Sequence, residues 1–284
     1  MVKKIFGQCY IWLILLLIYL PVFILIVFSF TNSKNVGDWQ GFSTVLYSDL
    51  FVGPTAKEIW VAVGNTVIIA VTSAIVSTLL GASGAIGAFY LSKRKNKAFN
   101  FVNQIPIVNA EIVMALSLAI MFAAIPSALF KVDLRSYWTL LIGHVVLGAP
   151  FVYISVVPKL IQMDPALFEA AIDLGATPRQ ALNKIIIPET LPGIASGFLL
   201  AITLSLDDVV ITEFTRGAGL LSGENKIETL STLVQNKIKK GAVPPELRPL
   251  TTIIFCIVVG VVIAVSVYRI VKSRQIKKKR VHQF

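Results

Sequence analysis

Long apolar runs separated by short polar and charged clusters recur along the whole chain. A helix in lipid must satisfy its own backbone polar groups and needs roughly 20 apolar residues to cross. Six segments meet that length, at about 9–30, 59–83 (within the uncharged stretch from Ile59 to Leu91), 101–125, 137–158, 191–214 and 249–268. The pattern predicts an all-α polytopic membrane protein with six transmembrane helices in a single domain over residues 1–284. The first run follows Lys3 and Lys4 as a signal peptide would, but it is too long and lacks a small-x-small cleavage site, so an uncleaved span is expected. Between the fifth and sixth runs, Ile227, Leu230, Val234 and Ile238 recur at helical spacing. They predict a short amphipathic helix, lying either on the membrane surface or against its own domain.

Composition agrees with this reading. Of the 284 residues, 56% are hydrophobic and 14% charged, a ratio that could not cover the surface of a soluble globule. The net charge of +11 would suggest nucleic-acid binding in a soluble protein. Here the bases cluster between apolar runs, at Lys3 and Lys4, at Lys93, Arg94, Lys95 and Lys97, and from Lys272 to Arg280, which reads as membrane orientation rather than as a nucleic-acid site. An even number of spans puts both termini on this basic side, which is expected to be cytoplasmic. Cys9 and Cys256 lie in apolar runs without metal-ligand spacing, so neither a disulfide framework nor a metal site is expected.

The segment Asp164 to Pro188, DPALFEAAIDLGATPRQALNKIIIP, has the clearest local grammar. Asp164 and Pro165 form an N-cap with proline in the first helical position, and Leu167, Ala170, Ala171 and Leu174 follow on one face. Gly175 suits a left-handed helix end, and Thr177 with Pro178 starts a second helix. The product is a helix, turn, helix knob between spans four and five, either a docking element for a soluble partner or a structural re-entrant loop. Glu169, Ala170, Ala171, Gly175, Ile185 and Pro188 match the EAA pattern of ATP-binding-cassette importer permeases, E-A-A, three residues, G, nine residues, I-x-L-P, with Ile187 in place of the usual Leu. The chain thus resembles that family. The resemblance implies a type I importer permease (MetI-like) fold whose cytoplasmic coupling helices sit in a cleft of the ATP-binding subunit, with Glu169 contacting that subunit. The chain has no G-x-x-x-x-G-K-[ST] phosphate loop, so it is expected to be non-catalytic, with no cofactor of its own. ATP, with Mg, would be bound by the partner.

Ionisable groups inside a membrane are costly and mark functional positions. Glu111 lies about 15 Å into the third run, and Asp207 with Asp208 about 24 Å along the fifth, if each is an unbroken helix rising 1.5 Å per residue. Such carboxylates could draw a polycation into a pathway. Alternatively they are neutralised, or paired with neighbours such as Asn109 or Thr203 to hold the bundle together. LSLDDVVITEF, VNAEIVMALSL and YLPVFILIVFSF followed by WQGF resemble the C-type permeases of spermidine/putrescine importers, where an Asp is expected at the position of Glu111. The resemblance runs from about Ile18 to Val265. It implies polyamine transport at a bacterial cell membrane, alongside a second permease subunit, two ATP-binding subunits and an extracytoplasmic substrate-binding protein. Related permeases carry other solutes, such as iron or phosphonates. A different class, an ion-coupled secondary transporter or channel in which the acids relay ions, is opposed by the EAA loop. A membrane scaffold is a weaker alternative.

Other signals point to structure. Gly81, Gly84 and Gly87 among small residues read as a helix-packing face. His144 has no nucleophilic partner and reads as a hydrogen-bonded core residue. Pro106, near Asn103, Gln104 and Asn109, and Pro150 predict kinks beside a cavity. Trp39, Trp60, Trp138 and Tyr137 suit interfacial anchors or a cation-π contact with an amine.

Overall fold

The computed structural model describes residues 2–33, 35–130, 135–164, 166–217, 226–241, 244–260, 263 and 267. Among them there is no β-strand, and the all-α class expected from the apolar runs is observed. Among the described residues, four helices are long and apolar enough to cross a membrane unbroken: Gly7–Phe28, Ala56–Phe89, Tyr137–Gln162 and Pro178–Asp207. A bent pair, Lys93–Val108 with Glu111–Ala124, whose axes turn by 95°, has the apolar length of either a broken fifth span or a re-entrant loop. The sixth expected segment begins as a shorter apolar helix, Leu247–Gly260. Most of its remainder, and the basic run Lys272 to Arg280, lie outside the described residues.

The chain divides into two compact units, Met1–Ile59 with Lys240–Phe284, and Trp60–Lys239. In the first unit, α1 (Val2–Phe28) and α2 (Val45–Val52) are joined by a loop with an aromatic cluster. Phe30 stacks on Phe42 at 5.8 Å and tilts against Tyr47 at 5.2 Å, and Trp39 meets Phe28 edge-on at 6.2 Å. Arg248, at the start of Leu247–Gly260, donates to the Ser33 carbonyl at 3.0 Å.

The second unit holds most of α3 (Ala56–Phe89), then α4 (Lys93–Val108), α5 (Glu111–Ala119), α6 (Ile125–Phe130), α7 (Tyr137–Gln162), α8 (Ala166–Asp173), α9 (Pro178–Ala181), α10 (Ile187–Asp207), α11 (Val210–Thr215) and α12 (Leu230–Lys239). Its core is a seam of small residues. Ala74, Ala82, Ala85 and Ala88 of α3 pack with Val152, Tyr153, Val156 and Leu160 of α7 and with Ala201 of α10. Lipid tails are as apolar as leucine, so helices gain from close backbone approach, which only small side chains permit. A Cβ at Gly81 would lie 2.6 Å from the Ala149 carbonyl oxygen, and one at Gly193 2.8 Å from that of Ser155. Of the glycines expected on the packing face of α3, Gly81 makes such a close approach, Gly84 is in ordinary contact with Phe99 at 3.6 Å, and Gly87 faces open space.

Two short π-helical turns, Ile120–Ala124 and Leu182–Ile186, share one cause. Each ends two residues before a proline, Pro126 and Pro188. A proline ring inside a helix collides with the carbonyl four residues back and donates no hydrogen bond, and a wider turn relieves both problems. As a result Pro178–Asp207 is continuous. The span expected over 191–214 begins earlier, inside the loop expected to be cytoplasmic, and stops at Asp207.

Candidate functional site: a carboxylate cavity between two helix breaks

The segment expected as one span over 101–125 is two helices. Asn109 (φ −72°, ψ 143°) and Ala110 (φ −63°, ψ 131°) are extended, so α4 ends and α5 restarts at Glu111. Pro106 lies inside α4, three residues before the break. The depth expected for Glu111 assumed an unbroken helix and does not apply to this bent pair. A second break follows Asp207: Asp208 is extended (φ −62°, ψ 128°), and α11 begins at Val210.

Both breaks open on one cavity of about 410 Å³. Asn109 and Glu111 line it from the first break, Asp207 and Asp208 from the second, and Leu147 and Phe151 of α7 from the side. Non-helical backbone at membrane depth is tolerated where it lines a protein cavity, which makes paired helix breaks a pointer to a binding site. The three acids singled out in the sequence thus share one space, and the Glu111 side chain adjoins that of Asp208. Thr203 is not a partner, because its hydroxyl donates to the Leu199 carbonyl of its own helix at 2.9 Å.

The adjacent aspartates differ in surroundings. Asp207, the last residue of α10, is exposed to the cavity. Asp208 is buried, and its carboxylate accepts from the Ile211 amide (3.1 Å), the Thr212 amide (2.8 Å) and the Thr212 hydroxyl (2.7 Å). His144, buried as expected, has hydrogen-bond partners on both ring nitrogens and lies 3.6 Å from Asp208. Thr212 does not stand out in the sequence as part of this arrangement. The available signal was spacing, since an acid three and four residues ahead of Ile211 and Thr212 is placed to cap a new helix.

The EAA segment folds as helix, turn, helix. Asp164 Oδ1 accepts from the Ala166 amide at 2.9 Å, and Pro165 lies outside the described residues. After α8 the Ala176 amide bonds the Ala171 carbonyl (3.0 Å) and the Gly175 amide the Ile172 carbonyl (2.9 Å), with Gly175 at φ +84°. These reverse bonds satisfy carbonyls left open at a helix end and need a left-handed residue. Thr177 and Gln180 cap α9 reciprocally: the Gln180 amide donates to Thr177 Oγ1 at 3.3 Å and the Thr177 amide to Gln180 Oε1 at 2.8 Å. Ala171 is buried, whereas Glu169, Ala170, Gly175 and Pro188 are exposed and Ile185 is half-buried in the π turn. Phe168 anchors α8 against Tyr90, ring centroids 5.8 Å apart.

Beyond the break, α12 packs on its own unit, with Ile227 and Leu233 buried. Asn65 donates to the Glu228 carbonyl and Ser231 to that of Asp208. Of the face expected from the sequence, Ile227 is buried just ahead of α12, Leu230 and Val234 are half-buried and Ile238 is exposed, so only part of the amphipathic pattern packs against the unit.

Comparison with known proteins agrees with this geometry. Over 248 residues the chain is 35% identical to the spermidine/putrescine transport system permease protein PotC of Escherichia coli K12, covering 87% of each chain. It is 33% identical over 259 residues to the putrescine transport system permease protein PotI of the same strain, covering 91% of this chain and 88% of that one. Among solved structures, a bacterial ABC transporter involved in import of the acidic polysaccharide alginate superposes with a TM-score of 0.66 at 16% identity, over 94% of this chain and 95% of that one, a likeness of fold alone. Residues 77–277, which contain both the cavity and the EAA segment, match the family described as binding-protein-dependent transport system inner membrane component. The chain belongs to that family, and it is a multi-pass membrane permease with the fold of ABC transporter permeases.

Proposed function

We propose that this permease forms the translocation pathway for polyamines in an importer driven by ATP hydrolysis on a partner subunit. The observation that carries the reading is the convergence of Glu111, Asp207 and Asp208 on one cavity between two helix breaks. A polyamine presents several ammonium groups along a flexible chain, and clustered carboxylates in a confined, partly apolar space attract such a polycation. Identity of 33–35% to curated spermidine/putrescine and putrescine permeases supports this substrate class.

Family membership implies a transport complex with partner subunits. In the proposed assembly these are a second permease, two ATP-binding subunits that hold ATP with Mg, and an extracytoplasmic binding protein. The chain itself catalyses no chemistry. It crosses a bacterial cell membrane six times with both termini in the cytoplasm, an orientation supported by the basic clusters at 3–4, 93–97 and 272–280. Glu169 and Ala170, exposed beside Leu174 at 89% exposure, offer the ATPase a small knob that combines an acid with apolar surface.

The continuous helix Pro178–Asp207 links the knob to the cavity. Thirty residues at 1.5 Å each make it about 45 Å long. Displacement of its loop end by closure of the ATPase would reach Asp207 as a rigid-body movement, with nucleotide and substrate biasing one two-state element. Uptake of labelled spermidine and putrescine into proteoliposomes holding the complete complex tests the reading. ATP-dependent accumulation is expected, and ATP-dependent uptake of another solute with none of either polyamine would refute it.

A further inference from the structure

A file of buried polar side chains runs across the second unit to the carboxylate site, and the transport reading makes no use of it. Ser73 of α3 donates to Ser205 of α10 at 3.2 Å. Ser205 Oγ pairs with His144 Nδ1 of α7 at 2.8 Å. His144 Nε2 pairs with Thr212 Oγ1 of α11 at 3.1 Å, and Thr212 Oγ1 donates to Asp208 Oδ2 at 2.7 Å. Counting protons gives the file one direction. A hydroxyl has a single proton, so Thr212, donating to Asp208, accepts from His144 Nε2–H. His144 Nδ1 is then the acceptor for the Ser205 hydroxyl, which in turn accepts from Ser73. From Ser205 onward every donor points toward Asp208, while the Ser73 hydroxyl is shared between Ser205 and the Ala70 carbonyl, each at 3.2 Å.

All five residues are buried, with Thr212 fully so and His144 2% exposed. The Asp208 carbonyl is also held, by the Ser231 hydroxyl of α12 at 2.7 Å. The residue that follows Asp207 is therefore tied by side chain to α7 and α11 and by backbone to α12. Its carboxylate has each oxygen engaged within the protein, whereas that of Asp207 faces the cavity. A buried polar group left unpaired is expensive, so a fully satisfied network specifies one arrangement.

We propose that Thr212 and His144 are positioning residues of the carboxylate site: they hold Asp208, and with it the chain break that turns Asp207 into the cavity. The division of labour assigns contact with the cationic substrate to Asp207 and Glu111 and the shaping of the site to Asp208. It rests on the transport reading of the cavity.

The test uses the complete complex in proteoliposomes with two readouts. One is the KM and Vmax of spermidine uptake for Thr212→Val, Thr212→Ser and His144→Gln. The other is the rate at which a trimethylammonium methanethiosulfonate reagent labels Asp207→Cys, in a Cys9→Ser, Cys256→Ser background, with and without Thr212→Val. Thr212→Val preserves side-chain shape and removes only the hydroxyl. It is expected to raise KM about tenfold, as loss of a site-orienting contact does, and to change the labelling rate at least threefold. Thr212→Ser is expected to restore both, and His144→Gln to fall between. A merely structural role would lower the amount of assembled complex while leaving KM and labelling at wild-type values, and that result overturns the proposal. If the wild-type complex carries no polyamine, the transport reading fails, and the labelling comparison still decides the positioning role.

Discussion

Asp207 and Asp208 are adjacent in sequence but do different work, because the helix ends between them. Asp207 closes α10 and meets the cavity, whereas Asp208 turns inward to cap the first amides of α11. Neutralising a carboxylate that faces a polycation removes attraction without changing shape. Asp207→Asn is therefore expected to raise the KM for spermidine about tenfold, equivalent to roughly 1.4 kcal/mol. Glu111→Gln, at the other break, acts in the same direction. Putrescine has fewer ammonium groups to share among the acids, so its KM rises by a smaller factor. Uptake kinetics for both substrates check this, and equal KM values for wild type and Asp207→Asn would show that the side chain meets no cation. The sequence showed all three acids, because charges are conspicuous in apolar runs. It did not separate the pair, since side-chain direction at a helix break depends on φ and ψ, and Asp208 at ψ 128° leaves no trace in composition.

At the scale of elements, the EAA loop was legible almost residue by residue. Caps and left-handed glycines are local, so Asp164, Gly175, Thr177 and Pro178 carry their instructions in their own side chains and backbones. Gly175→Ala puts a Cβ on a residue at φ +84° and should cost about 1–2 kcal/mol. The expected readout is amide hydrogen exchange roughly tenfold or more faster across Ala166–Asp173, and unchanged protection there would mean that the turn is not needed. The seam between α7 and α10 predicts a larger effect. Gly193→Val would drive side-chain atoms into the Ser155 carbonyl and should lower stability by about 1–3 kcal/mol, read as reduced thermal unfolding temperature of the purified chain. The breaks at Asn109–Ala110 and after Asp207 were not legible. Proline 106 drew attention to the neighbourhood, but the chain bends where two residues turn extended, a choice made by packing around a cavity rather than by local propensity.

For the whole molecule, hydropathy located the four unbroken helices of crossing length among the described residues, because length and apolarity are what lipid requires. It could not show that Pro178–Asp207 is one helix, since two prolines within it, Pro188 and Pro192, argue locally for interruption. That continuity puts the EAA knob and Asp207 at opposite ends of a single rod, and the proposed coupling follows from it. Glu169→Lys reverses the charge of the exposed knob far from the cavity. It is expected to reduce ATP-dependent uptake at least tenfold while the chain still reaches the membrane, and the defect should appear in Vmax rather than in KM. The central claim is most directly tested by ATP-dependent accumulation of labelled spermidine in proteoliposomes of the complete complex, comparing wild type with the Asp207→Asn, Glu111→Gln double variant. The account predicts accumulation by the wild type and its near loss in an equally well assembled double variant. Undiminished spermidine uptake through a cavity stripped of both exposed carboxylates would contradict it.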